Sequence, residues 1–274
     1  MSDLLKRILV AAVLLAVLAL GTYFGMWVQA IGFTFFLVFA VIEMRNMFRI
    51  KDINVCLPPL LAVASLQLIM LLLITQYGFP AVMLPGLYLL AVIWIMTDRV
   101  LNKKRRTEDF TASLFMLVYP ILMFMGFGLI GFGRADASRA ALLLTFASPC
   151  MADNNAYMFG KLFGKHKLCP GISPKKTVEG FIAGIFGGPI GGSIVYFMQR
   201  LWGLDIHWAW FIGLGLAGAF IGQMGDLIAS TYKRWTGIKD YGKLLPGHGG
   251  VMDRFDSTMA FAPVVAVVFF FLIK

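Results

Sequence analysis

The chain has 274 residues, of which 59 % are hydrophobic and only 14 % charged, with a mean hydropathy of +0.82 and a formal net charge of +10. A water-soluble fold wets its surface with roughly a quarter charged residues, so this composition excludes ordinary globular, collagen-like and disordered chains and leaves an all-α polytopic integral membrane protein. Three cysteines (Cys56, Cys150, Cys169) without CxxC spacing argue against a disulfide framework and a structural zinc site.

Stretches free of Asp, Glu, Lys and Arg mark the membrane spans. The first covers residues 8–42. As one helix it would be about 52 Å long, too long for a single crossing of a ~30 Å hydrocarbon core, so it is expected to fold as two helices turning near residues 21–25. Lys6-Arg7 ahead of an apolar run is reminiscent of a secretory signal, but the run passes straight into a second span without a small-residue cleavage site, which reads as a retained helix. Residues 53–97 hold two further helices, turning at Gly78-Phe79-Pro80. Single spans are expected at 110–133, 180–199, 206–225 and 257–273, with a shorter one at 140–152. The sum is about nine transmembrane helices. Five fall in an N-terminal membrane region, residues 1–139, and four in a catalytic membrane region, residues 140–274, with long loops at 153–179 and 226–256.

Nine spans divide the loops between two sides. Of the 24 Lys and Arg residues, all but Arg134, Arg139, Arg200 and Lys274 fall on the N-terminal side. By the positive-inside rule this places the N-terminus and both long loops in the cytoplasm of a multi-pass protein, and the short loops suggest a bacterial inner membrane. The charge is thus matched to membrane lipid and an anionic substrate, not to nucleic acid. Lys103-Lys104-Arg105-Arg106 reads as a topology signal, with an anionic-headgroup site as the alternative. Glycines four apart (Gly184/Gly188, Gly218/Gly222) predict close helix packing. His207 beside Trp208 and Trp210 reads as an interface anchor, and His166 as a loop residue near the site.

The chemistry concentrates in the two long loops. Asp226 ends one span, while Asp253 and Asp256 precede the next. If those helices pair, three carboxylates meet at one membrane surface, and Asp253 and Asp256 share a face on a helical turn. Such a cluster needs a hard cation, and Mg²⁺ suits its oxygen ligands. Lys233, Arg234, Lys243, His248 and Arg254 supply phosphate donors, and Gly247, Gly249 and Gly250 free the backbone to offer N–H groups to a phosphate. The combination points to metal-dependent phosphoryl or nucleotidyl transfer. With no Ser-His-Asp or Cys-His set, no covalent enzyme intermediate is implied.

The pattern Ser230, Lys233-Arg234, Lys239-Asp240, Gly242, Leu245-Pro246, His248-Gly249-Gly250, Asp253-Arg254 and Asp256 closely resembles the signature of the phosphatidate cytidylyltransferases, also called CDP-diacylglycerol synthases. A second block resembles residues 153–180, including Ser173-Pro174-Lys175-Lys176-Thr177 and Glu179-Gly180. It departs at Asn154-Asn155, where the family pattern has a threonine followed by a small or aromatic residue. Ahead of Asp153 the resemblance rests on the multi-span layout alone.

The resemblance implies the reaction CTP + phosphatidate → CDP-diacylglycerol + diphosphate, Mg²⁺ dependence, a second cation such as K⁺, and a homodimer. In the expected arrangement Asp226 and Asp253 hold Mg²⁺, and Asp256 supports the second cation or orients Arg254. Lys233, Arg234, Lys239 and Lys243 face the leaving diphosphate, whereas Lys175 and Lys176 hold the lipid phosphate. Ser173 is a hydrogen-bond donor there or a helix cap, and His248 positions substrate within the turn of Gly249 and Gly250. The rivals are a polyprenol kinase, a cytidylyltransferase for another lipid phosphate, and a transporter. The transporter is disfavoured because the acidic residues lie in loops or at span ends.

Overall fold

A computed structural model describes residues 26–132, 135–244 and 249–272. The first expected span and His248 lie outside these residues. Among the described residues six helices are long and apolar enough to cross a membrane: Met26–Arg49 (α1), Leu57–Tyr77 (α2), Met83–Leu101 (α3), Thr107–Gly131 (α4), Val178–Trp202, whose α-helical part Val178–Gln199 is α6, and Trp208–Thr236 (α7). To these are added α5 (Ala135–Phe163), a four-residue turn α8 (Met252–Phe255) and α9 (Thr258–Leu272). The only sheet among the described residues is a two-stranded antiparallel hairpin, β1 (Lys167–Cys169) with β2 (Ser173–Thr177). The chain is thus an all-α membrane protein.

Two compact units are present, Met1–Phe132 with Thr236–Arg254, and Gly133–Trp235 with Phe255–Lys274. The sequence divides the chain near residue 139, but the stretch Thr236–Arg254 belongs to the first unit. A carboxylate on α1, described below, holds its backbone.

Within the first unit, α2 starts with Pro58-Pro59, where absent N–H groups cost nothing, and stops at Gly78 in the left-handed region (φ +70°). Its one polar core residue, Gln67, is fully buried and satisfied at both ends: Nε2 donates to the Ile121 carbonyl (2.9 Å) and Oε1 accepts from the Tyr88 hydroxyl (2.5 Å). Phe33 stacks on Phe127 at 4.7 Å between α1 and α4. In the basic run, Arg105 Nε donates to Asp98 at 2.5 Å, and Arg106 donates to the Asp52 carbonyl. Half of this run is therefore committed to contacts within the chain, including the connection between α1 and α2, while Lys103 and Lys104 stay exposed.

In the second unit, α5 and α7 run on past the charge-free stretches. Residues 153–163 and 226–236, expected in loops, are helical. The first charge marks where the apolar stretch ends, but a helix stops only at a residue that cannot continue it; Gly164 follows one and Gly237, at φ +78°, the other. Helix α6 carries two glycine faces. A Cβ at Gly187 or Gly191 would lie 2.7 Å and 2.6 Å from carbonyl oxygens of α5 (Met151, Ala147), and one at Gly188 or Gly192 would strike carbonyls of α7 (Gly215, Phe211). Thus α6 is wedged between two neighbours at backbone distance, where the sequence suggests only the α6–α7 pair. Ser148 of α5 ties to α7 directly, donating to the Gly215 carbonyl (2.8 Å).

A side chain at Gly192 forces α6 off α7. Gly192→Val is expected to destabilise the protein by at least about 1–3 kcal/mol, read as a lowered unfolding midpoint in detergent. The same change at Gly213, with open space around it, should have a much smaller effect.

Candidate active site

The second unit contains a cavity of about 430 Å³ where α5 and α6 meet the hairpin. Its construction is local. Thr177 ends β2 and caps α6, its hydroxyl accepting from the Gly180 amide at 3.1 Å. Gly160 and Gly180 let the helices approach until a Cβ on Gly180 would sit 2.6 Å from the Ala156 carbonyl. The helix cap offered for Ser173 is therefore filled by Thr177, and Ser173 instead opens β2 opposite Cys169.

Four lysines (Lys161, Lys167, Lys175, Lys176) and one acid, Asp153, line this cavity. Lys175 is exposed, while Lys176 is partly buried and its Nζ stands 2.5 Å from Oδ2 of Asp226 on α7. Such excess positive charge in a concavity suits a ligand carrying several negative oxygens. Asp153 is exposed towards the cavity, but its helical neighbours displace part of its water. That loss of water raises its carboxyl to about 6, with Lys176 pulling it down and Asp226 adding to the rise. Two carboxylates thus flank one ammonium.

Further along α7, Lys233 and Asp256 are both buried, with Nζ and Oδ2 4.0 Å apart. Asp256 Oδ1 also accepts from the Ser257 amide at 2.8 Å. Gly225 touches the backbone carbonyl of Asp256, which brings the neighbourhood of Asp226 against that of Asp256. Arg234 is exposed, and its Nε donates to the Ile172 carbonyl at 3.1 Å, anchoring the tip of the hairpin.

In the first unit the glycine turn is organised by two acids. Asp253 Oδ2 accepts from the amides of Tyr241 (2.8 Å) and Gly250 (3.0 Å). Glu43 of α1, 6 % exposed, accepts from Val251 (3.0 Å) and Met252 (2.9 Å). Of the glycine amides expected to face a phosphate, that of Gly250 already serves a carboxylate of the chain, as do the amides of Val251 and Met252 that follow it. Gly249 has φ +81°, a conformation that favours glycine. Lys239, Lys243 and Arg254 are exposed.

Of the three expected metal acids, Asp226 and Asp256 lie in the second unit and Asp253 in the first. Among the described residues, no group of three or more His, Cys, Asp or Glu within either unit gathers as a metal site. The donor chemistry still fits a hard cation, because Asp153 and Asp226 interact electrostatically beside a cavity that can admit water and phosphate oxygens.

Sequence reasoning passed over Asp153, Lys161, Lys167 and Glu43. The first three sit in the same block as Lys175-Lys176. Glu43 carries a plainer signal, the sole acid within the apolar helix Met26–Arg49. His166 takes no part in the cavity lining; its Nδ1 pairs with Glu179 at 2.7 Å across the start of α6. The His207 ring lies beside that of Trp208, with centroids 5.6 Å apart.

Residues 5–272 match the cytidylyltransferase family, nearly the whole chain. The chain belongs to that family. It is 36 % identical over 234 residues, 84 % of its own length and 85 % of the relative's, to the phosphatidate cytidylyltransferase of Staphylococcus aureus (strain COL). The proteins of the same name from Staphylococcus epidermidis (strain ATCC 12228) and Staphylococcus haemolyticus (strain JCSC1435) are 36 % and 35 % identical, with the same coverage. The match extends well ahead of Asp153, where the sequence signature offers only a span pattern.

In this cytidylyltransferase-family chain the Asp153 carboxyl should titrate near pH 6. Lys176→Met removes the cation that favours the ionised form and is expected to move the midpoint upward, whereas Asp226→Asn moves it downward. Infrared difference titration of the carboxyl band reads both directions.

Proposed function

We propose that this protein is a phosphatidate cytidylyltransferase, converting CTP and phosphatidate to CDP-diacylglycerol and diphosphate. The observation that carries the reading is the four-lysine cavity bounded by Asp153 and the Lys176–Asp226 pair, in a chain of the cytidylyltransferase family. A phosphatidate oxygen, already anionic, attacks the α-phosphorus of CTP; the bond from that phosphorus to the bridging oxygen breaks, and diphosphate leaves with the electron pair. No general base is required for this step, so His248 is assigned to positioning.

The chain's residues supply charge and orientation, the main contributions in phosphoryl transfer. Lys161, Lys167, Lys175 and Lys176 compensate bound phosphate. Lys176 also restrains Asp226, so a carboxylate and an ammonium are already aligned before substrate arrives. Lys233 is better placed to hold Asp256 than to meet diphosphate, because both are buried together. Arg234 steadies the hairpin that carries Lys175 and Lys176. Lys239 and Lys243 are assigned to the leaving diphosphate, and Arg254 to the same charge. Asp226, with Asp153 beside it, would hold Mg²⁺; Asp253 is likewise assigned to cation binding, and Asp256 to a second cation such as K⁺. Bound there, Mg²⁺ supplies neutralisation of triphosphate charge.

The assigned setting is the inner membrane of a bacterium, with the N-terminus and the site on the cytoplasmic side where CTP is found, and with the protein working as a homodimer.

Purified protein given labelled CTP, phosphatidate and Mg²⁺ should form a labelled liponucleotide and release diphosphate, and chelation of the metal should stop turnover. Polyprenol phosphate in place of phosphatidate should give no product. Asp226→Asn is expected to lower kcat by about 10²–10³-fold or more, and Lys175→Ala should mainly raise KM for the phosphate substrate. Equal turnover of wild type and Asp226→Asn contradicts the assignment.

A further inference from the structure

Glu43 sits where an acid is expensive, buried and the sole acid of the mainly apolar helix α1. Both of its carboxylate oxygens are used, Oε1 by the Val251 amide (3.0 Å) and Oε2 by the Met252 amide (2.9 Å). These partners lie more than 200 positions further along the chain. Two glycines make room for the carboxylate. A Cβ at Gly242 or at Gly250 would run into it. Directly beyond, Asp253 Oδ2 receives the amides of Gly250 and Tyr241 (3.0 and 2.8 Å).

We infer that Glu43 is a positioning residue for cytidylyl transfer: its carboxylate clamps the turn at residues 250–252 and thereby sets the orientation in which Asp253 is presented. The inference rests on the function proposed above. It differs from a purely structural tie in what is held. The two amides belong to consecutive residues immediately before Asp253, so both oxygens restrain one short turn. Fixing a peptide by two charge-assisted hydrogen bonds leaves it little freedom to tilt. A neutral amide in place of the carboxylate can accept only at its single oxygen. One of the two N–H groups then loses its partner and the turn loosens.

The test uses the full-length protein with three variants. Glu43→Gln keeps shape but not the second acceptor; Glu43→Asp keeps both acceptors, withdrawn by one methylene; Gly242→Ala leaves Glu43 intact but displaces its carboxylate. Steady-state kinetics with CTP and phosphatidate are read beside amide hydrogen exchange of the described residues 241–244 and 249–253. Glu43→Gln and Gly242→Ala should lower kcat at least about tenfold, towards the ~100-fold that a small misplacement costs, while KM for phosphatidate stays within about twofold. Exchange should quicken in those residues and remain unchanged in α6, and Glu43→Asp should recover part of the loss.

Unchanged kcat and unchanged exchange in Glu43→Gln overturn the inference, as does faster exchange throughout α1 and α2, which would mark a general packing role. If Glu43→Gln does not fold, Gly242→Ala decides by the same criteria. Should the wild type fail to use phosphatidate, the functional reading falls. The exchange pattern then decides whether Glu43 clamps the turn: quickened exchange confined to 241–244 and 249–253 supports the clamp, and any other pattern rejects it.

Discussion

The site depends on the ion pair of Lys176 with Asp226, whose charged atoms stand 2.5 Å apart. Each partner is about one-quarter exposed, so water weakens the pair without removing its directing effect. It joins the end of a β-strand to α7 and leaves Asp153 on the cavity wall beside the same ammonium. Breaking it would place two interacting carboxylates next to each other without the charge between them. Much of the cavity's electrostatic character follows, since three further lysines add positive potential around a centre that carries both signs.

Glycine makes that centre possible. A hairpin of two strands of three and five residues has no core of its own, and its position is inherited from helices that touch at backbone distance. Gly160 and Gly180 bring α5 against the start of α6, while Gly187, Gly188, Gly191 and Gly192 fix α6 between α5 and α7. In lipid, where helix association gains nothing from water exclusion, such van der Waals contact supplies a main attraction between helices. The first unit uses a different device. There, the carboxylates of Glu43 and Asp253 receive the backbone N–H groups of Tyr241, Gly250, Val251 and Met252.

The spans were legible because hydropathy in a membrane protein is a direct physical requirement. Turns at Gly78 and helix starts near Met83 and Val178 followed from it closely. The ends of α5 and α7 were not legible, since Asp153 and Asp226 stop an apolar stretch but not a helix. Lys175, Lys176 and Asp226 could be picked out from their density of charge, and the structure unites Lys176 with Asp226. Lys161 and Asp153 escaped notice because their convergence depends on α5 continuing as a helix beyond the membrane stretch, and Lys167 because it depends on the hairpin folding back over that helix. In the glycine turn, expected to offer its amides to phosphate, the Gly250 amide serves Asp253 three residues on, and the next two amides serve Glu43, remote in sequence. No local pattern could pair Glu43 with Val251.

The most direct measurement is an experimental density map of the full-length protein with an unreactive CTP analogue, phosphatidate and Mn²⁺ in place of Mg²⁺. Phosphate density among Lys161, Lys167, Lys175 and Lys176, with the anomalous metal peak against Asp226, is the result predicted. Nucleotide bound away from that cavity, with Lys176 still paired to Asp226 and no metal beside it, would contradict the account.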